Sequence, residues 1–179
     1  MKSNKNWTRY TAPLLALLIC GGALAMSATR LPGITTAAIP VTAAPKVVVT
    51  LKGEVKRADK TLVVDGGPIL QQGEIIDWHV VSVNKGDGAA KAYEAEAQIP
   101  AGTELVAGSP RSQGGAAILF SIDHGKRFSS QPMIEKRDSN GVAQMVPAPI
   151  SMYTDLRYKW PGELAAGATL EATYQVRIK

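Results

Sequence analysis

The chain has 179 residues, 45% hydrophobic and 20% charged, so it can bury a core as one domain and is too apolar to be disordered throughout. Its 17 Gly and 11 Pro favour a turn-rich β protein over a helical bundle or coiled coil. The formal charge of +5 includes Lys2, Lys5 and Arg9, and removing these three from the 20 Lys and Arg leaves 17 against 15 Asp and Glu, or +2. Such a weak charge without basic clusters argues against nucleic acid as a partner.

Residues 1–28 have the pattern of a secretory signal peptide. The three basic residues precede an apolar stretch, Ala12–Ala25, and small residues at 23–27 offer cleavage sites. The stretch is shorter than the roughly 20 residues of a membrane-spanning helix, and Pro13 interrupts it. We therefore expect export to the periplasm, the cell surface or the medium, with cleavage near Ala25 to Ala28. An uncleaved anchor is the alternative, and it would be the sole membrane contact.

Cys20 is the only cysteine of the chain. A lipoprotein attached at Cys20 is a further alternative, which the large residue Ile19 before it disfavours. If the signal is removed, the mature chain has no thiol, so neither a disulfide nor a cysteine-ligated metal is expected.

Residues 29–45 are rich in Ala, Thr and Pro and predict a linker, whereas residues 46–179 have the period-two pattern of β-strands. No segment keeps helical spacing of apolar residues over three turns. Seven or eight short strands with turn signals between them predict an all-β fold, an immunoglobulin-like antiparallel two-sheet β-sandwich. The strands are expected at 47–55, 61–64, 74–84, 89–99, 116–122, 153–160 and 170–179.

Several strands have a clear inner face. Val47, Val49, Leu51 and Val55 alternate with polar residues in the first strand. Trp78 and Val80 are expected to face the core, and His79 to face outward. The segment 84–88, Asn-Lys-Gly-Asp-Gly, predicts a hairpin whose glycines adopt positive φ. Further inward residues are expected at Tyr93, Ala95, Ala97, Ile99, Ile118, Phe120, Leu156, Tyr158, Trp160, Leu170, Ala172, Tyr174, Val176 and Ile178.

Three motifs resemble a known family. They are the segment 73–87 with its aromatic strand ending in Asn-Lys-Gly, the Ile-Pro-Ala-Gly-Thr turn at 99–103, and the Leu-Ala-Ala-Gly turn at 164–167. Together they resemble the bacterial conserved repeat domain known as domain of unknown function 11, over about residues 46–179. The resemblance implies an immunoglobulin-like sandwich of cell-surface or envelope proteins, and it implies no catalytic residues. The segment 111–149 is longer than a typical unit of that family.

A second, local likeness lies at 121–128. Ser121, Asp123 and Gly125 match the Asp-box pattern Ser-x-Asp-x-Gly, and Phe128 occupies the aromatic position. Asp123 is expected to accept backbone N–H groups of its own turn, and Gly125 to supply positive φ. We interpret this motif as a structural hairpin.

Residues with chemical potential are few. Asp77 and His79 share a strand face, and an acid–base pair, or a triad completed by a distant serine, is an alternative to ordinary surface residues. His124 is interpreted as a turn residue, and Glu94 and Glu96 as a solvated face. We assign no catalytic, cofactor-binding or metal-binding residue and expect no cofactor, because no metal, phosphate or nucleophile motif occurs.

The sequence therefore predicts an exported, non-enzymatic domain of the bacterial cell envelope or surface that acts as a structural, adhesion or protein-interaction module. Its expected partners are other envelope or surface proteins. The alternative is a carbohydrate-binding module with a glycan partner, which would require a strip of exposed aromatic residues. Tyr153, on the outward face of its strand, is the one candidate. If the domain binds a partner, we expect the long segment 111–149 to carry the binding, and the other interpretation of this segment is an extra hairpin that closes the sandwich.

Overall fold

The computed structural model describes residues 43–58, 60–64 and 69–179, and these residues form an all-β structure. The predicted signal peptide and most of the predicted linker lie outside the described residues. No helix in the described ranges is long and apolar enough to cross a membrane. A 3₁₀ turn spans Ile150–Met152. The strands are β1 Val47–Arg57, β2 Lys60–Val63, β3 Ile75–Asn84, β4 Glu94–Gln98, β5 Thr103–Leu105, β6 Arg111–Ser112, β7 Ala117–Ser121, β8 Met133–Arg137, β9 Ala143–Pro147, β10 Asp155–Lys159 and β11 Thr169–Ile178.

The described strands form three antiparallel sheets, none of them closed into a barrel. The large sheet has the order β2-β1-β3-β11-β5, with β6 also paired to β11. The small sheet has the order β4-β10-β7. Strands β8 and β9 form a two-stranded sheet of their own, called the arm below. The chain therefore crosses from the large sheet to the small one between β3 and β4, and returns to the large sheet at β5.

One hydrophobic cluster joins the large and small sheets. Ile76, Val80, Ala172, Tyr174 and Val176 of the large sheet cluster with Ala95, Ala97, Leu156 and Tyr158 of the small sheet. Two tyrosines also bridge the sheets, because the Tyr158 hydroxyl donates to the Thr173 carbonyl at 2.9 Å and the Tyr174 hydroxyl to the Gln98 carbonyl at 2.8 Å. Burial raises the pKa of both phenols. The predicted inner faces of β3, β4, β10 and β11 are confirmed.

The predicted hairpin at 84–88 is wrong. Strand β3 pairs with β1 and β11, whereas the next strand, β4, pairs with β10 in the other sheet. Gly86 and Gly88 do not have positive φ. They are needed because the backbone of residues 43–46 passes close by: a Cβ on Gly88 would lie 2.6 Å from the Ala43 carbonyl oxygen, and one on Gly86 would overlap the Ala44 carbonyl.

The Asn84 side chain forms four hydrogen bonds at the place where residues 43–46 pass the β3–β4 connection. Its side-chain oxygen accepts the N–H groups of Lys46 at 3.0 Å and Gly86 at 3.1 Å. Its side-chain nitrogen donates to the carbonyls of Gly88 at 2.7 Å and Leu164 at 2.9 Å. Asn84 is fully buried, so these bonds satisfy an amide that has no access to water.

The alternating apolar residues of β1 share one face of the strand, but that face is exposed over the first half of β1. Val55 is buried, but Val49 is 52% and Leu51 49% exposed. Their pairing with Ser82 and Val80 places them on the core side of the large sheet. The small sheet is narrower than the large one. Its edge strand β4 lies over β3, since the hydroxyl of Tyr93, just before β4, donates to Ser82 Oγ of β3 at 2.8 Å. No described segment extends past β4 to cover the first half of β1.

The long segment 111–149 divides into three parts. Strand β6 joins the large sheet, β7 joins the small sheet, and residues 133–147 form the arm. The segment thus contains an extra hairpin, which forms a sheet of its own, whereas residues 111–112 and 117–121 belong to the two main sheets. The arm is mostly exposed, with Met133, Val142 and Met145 among its exposed apolar side chains.

An ion pair fastens the end of β1 to the chain entering β3. The Arg57 guanidinium donates to both carboxylate oxygens of Glu74, at 2.5 and 2.8 Å, and also to the Ile69 carbonyl. These Arg57 bonds, with the Gln71 N–H, lower the pKa of Glu74 from its ordinary 4.5 to about 2. The bidentate geometry fixes the loop between β2 and β3.

This pair predicts a pH dependence of stability. Because the folded-state pKa of Glu74 is depressed, its contribution is present above pH 4.5 and is lost as the pH falls toward about 2. We expect Glu74→Gln to lower the denaturant midpoint at neutral pH, and we expect the difference from wild type to shrink through that window. Urea unfolding across the pH range checks this, and a difference that stays constant with pH would contradict it.

Candidate functional site

A depression on the outer face of the large sheet has a volume of about 510 Å³. It is open to solvent between β1, β3, β11 and the loop after β5. Its polar walls bring together the two residues that the sequence singled out and several other charged or polar groups. They are Glu54, Lys56, Asp77, His79, Arg111 and Gln175.

The carboxylates of this depression are engaged by neighbours other than His79. Asp77 Oδ1 accepts the side-chain N–H of Gln175 at 2.5 Å, and its Oδ2 lies 3.8 Å from Lys56 Nζ. Glu54 lies 2.7 Å from Lys52 Nζ, and this contact lowers the pKa of Glu54. His79 is exposed. In the described chain no hydrogen bond joins Asp77 to His79, so the acid–base pair is not assembled.

The serine nearest to this face also has a structural role. Ser109 lines the depression, but its hydroxyl accepts the N–H of Gln175 at 3.0 Å and lies 3.3 Å from the Gln175 carbonyl. It therefore fastens the loop after β5 to β11. A nucleophile would need a base within hydrogen-bond reach, and the Ser109 contacts are to backbone.

The turn at 121–128 has the structure expected of it. Asp123 Oδ1 accepts the N–H of Arg127 at 2.9 Å and the hydroxyl of Ser121 at 2.8 Å, and Gly125 has φ of 76°. Bonds from Arg127 hold the pKa of Asp123 below its ordinary range. The Phe128 ring lies under Arg157, 3.9 Å from the guanidinium carbon, a cation–π contact that packs the turn onto the small sheet.

Asp155 is a buried carboxylate beneath this turn. It lies on the face of β10 opposite Leu156 and Tyr158, but its carboxyl carbon would be 3.9 Å from a Cβ on Gly125, and the turn covers it. Its Oδ2 has no hydrogen-bond partner among the described residues. No group of three or more His, Cys, Asp or Glu side chains within the described ranges is placed to hold a metal ion.

Aromatic side chains pack inward. Tyr158, Trp160 and Tyr174 are buried as predicted, and Trp78 is half-buried and stacked on Tyr174 with ring centres 6.4 Å apart. Tyr153 is not outward: it stacks on Phe120 at 4.9 Å and packs against the core. None of the aromatic residues in the described ranges is exposed. The described surface therefore offers no aromatic strip on which a sugar ring could stack.

Besides the arm, exposed apolar side chains lie at the first half of β1. Val49 and Leu51 point to the core side of the large sheet and are half-exposed, and Val48 is exposed on the other face. Sequence reasoning missed this surface because it read the alternating valines as buried. The signal that could have revealed it is the absence of charge over residues 47–51 in a strand so near the start of the domain.

Comparisons of the chain with protein-family models, with curated proteins and with solved structures found no match.

Proposed function

We propose that this chain is an exported, non-enzymatic domain of the bacterial cell envelope or surface, an immunoglobulin-like β-sandwich that works through contacts with other proteins. The secretory pattern of residues 1–28 supports export. Two antiparallel sheets that share one core support the sandwich, and the three motifs that resemble domain of unknown function 11 support an envelope location.

The observation that carries the proposal is the uncovered first half of β1. Val49 and Leu51 are apolar, face the core side of the large sheet and remain half-exposed. Such an exposed apolar surface is typical of a site that another protein covers. The polar depression offers a weaker case for catalysis, because Asp77 and Ser109 are engaged by Gln175. No observation favours the glycan-binding alternative over this one.

A photo-activated cross-linking residue at Leu51, introduced in living cells, tests the proposal. We expect an adduct in the envelope fraction, formed by a chain whose N-terminus lies between Ala25 and Ala28 by mass spectrometry. The same residue at the exposed Glu163, remote from β1 in sequence, serves as the control and should give little adduct. An unprocessed chain in the cytosol, or equal labelling at both positions, would contradict the proposal.

A further inference from the structure

We propose that the free edge of β1 is a self-association site, at which β1 of a second copy adds antiparallel and joins two large sheets into one. This inference rests on the proposed function, since it names the partner for the surface that the function requires. Strand addition at an open edge is a recurrent mode of protein recognition.

Among the described residues, no strand pairs with the outer side of β1 over its first half. Strand β2 pairs only with residues 54–57, and beyond it the Gly53 carbonyl accepts the Val64 N–H at 2.9 Å. The Lys46 carbonyl accepts the Lys85 N–H on the opposite side, toward β3. Hydrogen-bonding direction alternates along a strand, so the N–H and C=O groups of Val47, Val49 and Leu51 all point to the open edge.

This edge lacks the protection that other edges of the fold have. Sheet edges are normally blocked by charges, proline or short length. The outer edge of β4 carries Glu94 and Glu96, and the carbonyl of its Gln98 is already bonded to Tyr174. Residues 47–51, Val-Val-Val-Thr-Leu, are uncharged and mostly β-branched. They form a strong strand with half its backbone groups free.

Residues 47–51 are also suited to act as the added strand. In an antiparallel pairing centred on Val48, Val47 faces Val49 of the second copy, and each such pair exchanges two hydrogen bonds. Lys46 then faces Thr50, and Lys52 faces Ala44, so no like charges oppose one another. The pairing ends at Pro45 and Leu51, where β2 takes over the edge.

Side-chain burial supports the same partner. In that register Val47 and Val49 of one copy lie beside Val49 and Val47 of the other, and Leu51 lies beside Pro45, which covers inner-face apolar surface that β4 does not reach. On the opposite face, Val48 of one copy lies beside Val48 of the other. The residual charge of +2 outside the first 28 residues opposes self-association only weakly.

A proline substitution at Val49 distinguishes backbone strand pairing from non-specific hydrophobic association. The Val49 N–H has no partner strand among the described residues, so Val49→Pro removes no bond of the described fold, yet it removes a bond of the pairing. We expect sedimentation of the full chain to show a concentration-dependent dimer that Val49→Pro weakens at least about tenfold. Val49→Thr keeps the N–H and the branched shape, and it should retain the dimer.

Cross-linking tests the register directly, in a full chain carrying Cys20→Ser. Val48→Cys places two thiols across the two-fold axis with Cα atoms about 4.5 Å apart, within disulfide range, so a covalent dimer is expected on oxidation. Thr50→Cys is the matched control, because its two copies would be separated by about 14 Å at 3.4 Å per residue. It should remain monomeric under the same conditions.

Hydrogen exchange and the identity of the Leu51 adduct provide two further tests of self-association. Hydrogen exchange at the amides of Val47, Val49 and Leu51 should slow as concentration rises. Slow exchange in a strictly monomeric chain would mean that another segment of the same chain covers the edge, and it would overturn the proposal. So would a monomer with fast exchange, or a dimer that survives Val49→Pro and lacks the Val48→Cys cross-link. A Leu51 adduct with a different envelope protein, and none with itself, would reject self-association while leaving the proposed function intact.

Discussion

Asn84→Ala is expected to destabilise the domain by about 3–5 kcal/mol. The substitution leaves two N–H groups and two carbonyls without their Asn84 partner. The bond to Leu164 is buried and the other three are partly buried, and an unpaired buried group costs on the order of 1–3 kcal/mol. The loss falls on three segments at once: the entry to β1, the β3–β4 connection and the loop before β11. Denaturant unfolding of wild type and variant measures it.

Asn140→Ala is the control for that measurement. Asn140 lies in the exposed turn of the arm, where its backbone N–H bonds to Asp138 Oδ1, and that bond survives the substitution. Its effect should stay within about 0.5 kcal/mol. Similar shifts in the midpoints of the two variants would show that the Asn84 bonds do not hold the crossing together.

Trp78→Ala is expected to cost about 3 kcal/mol, whereas His79→Ala should cost less than about 1 kcal/mol. The Trp78 ring lies against the backbone of Gly53, where a Cβ would come within 2.9 Å of it, and it stacks on Tyr174. Truncation therefore leaves a void between β1 and β11. His79 points to solvent on the opposite face.

Trp78→Phe refines the same comparison. The indole N–H is buried without a hydrogen-bond partner among the described residues, so its removal deletes an unsatisfied donor while keeping most of the packing. We expect Trp78→Phe to lie within about 1 kcal/mol of wild type. Equal losses for Trp78→Ala and His79→Ala would mean that the two residues do not face opposite sides of the sheet.

The sequence was informative where a strand is covered by the other sheet. In β3, β10 and β11 each second side chain is buried, and the period-two pattern records that burial directly. The Asp-box turn was also predictable, because Asp123 and Gly125 act on their own neighbours.

Other features depend on contacts that are distant along the chain. The pattern of β1 shows that alternate residues are apolar, but the exposure of Val49 depends on how far the small sheet extends, which no local pattern records. Gly86 and Gly88 resemble a turn, yet the space they leave is taken up by residues 43–46, about forty positions earlier. The engagement of Asp77 by Gln175 likewise joins residues 98 positions apart.

The position of β11 has a consequence for how the domain is made. This strand is the last of the large sheet in chain order, yet it lies between β3 and β5 and also pairs with β6. Until Ile178 has been synthesised, β5 and β6 have no neighbour in their sheet and β3 lacks one of its two neighbouring strands. Completion of the large sheet therefore follows synthesis of β11. For the export proposed above that delay is an advantage, because a finished sheet would have to be unfolded before the chain could pass through a narrow translocation pore.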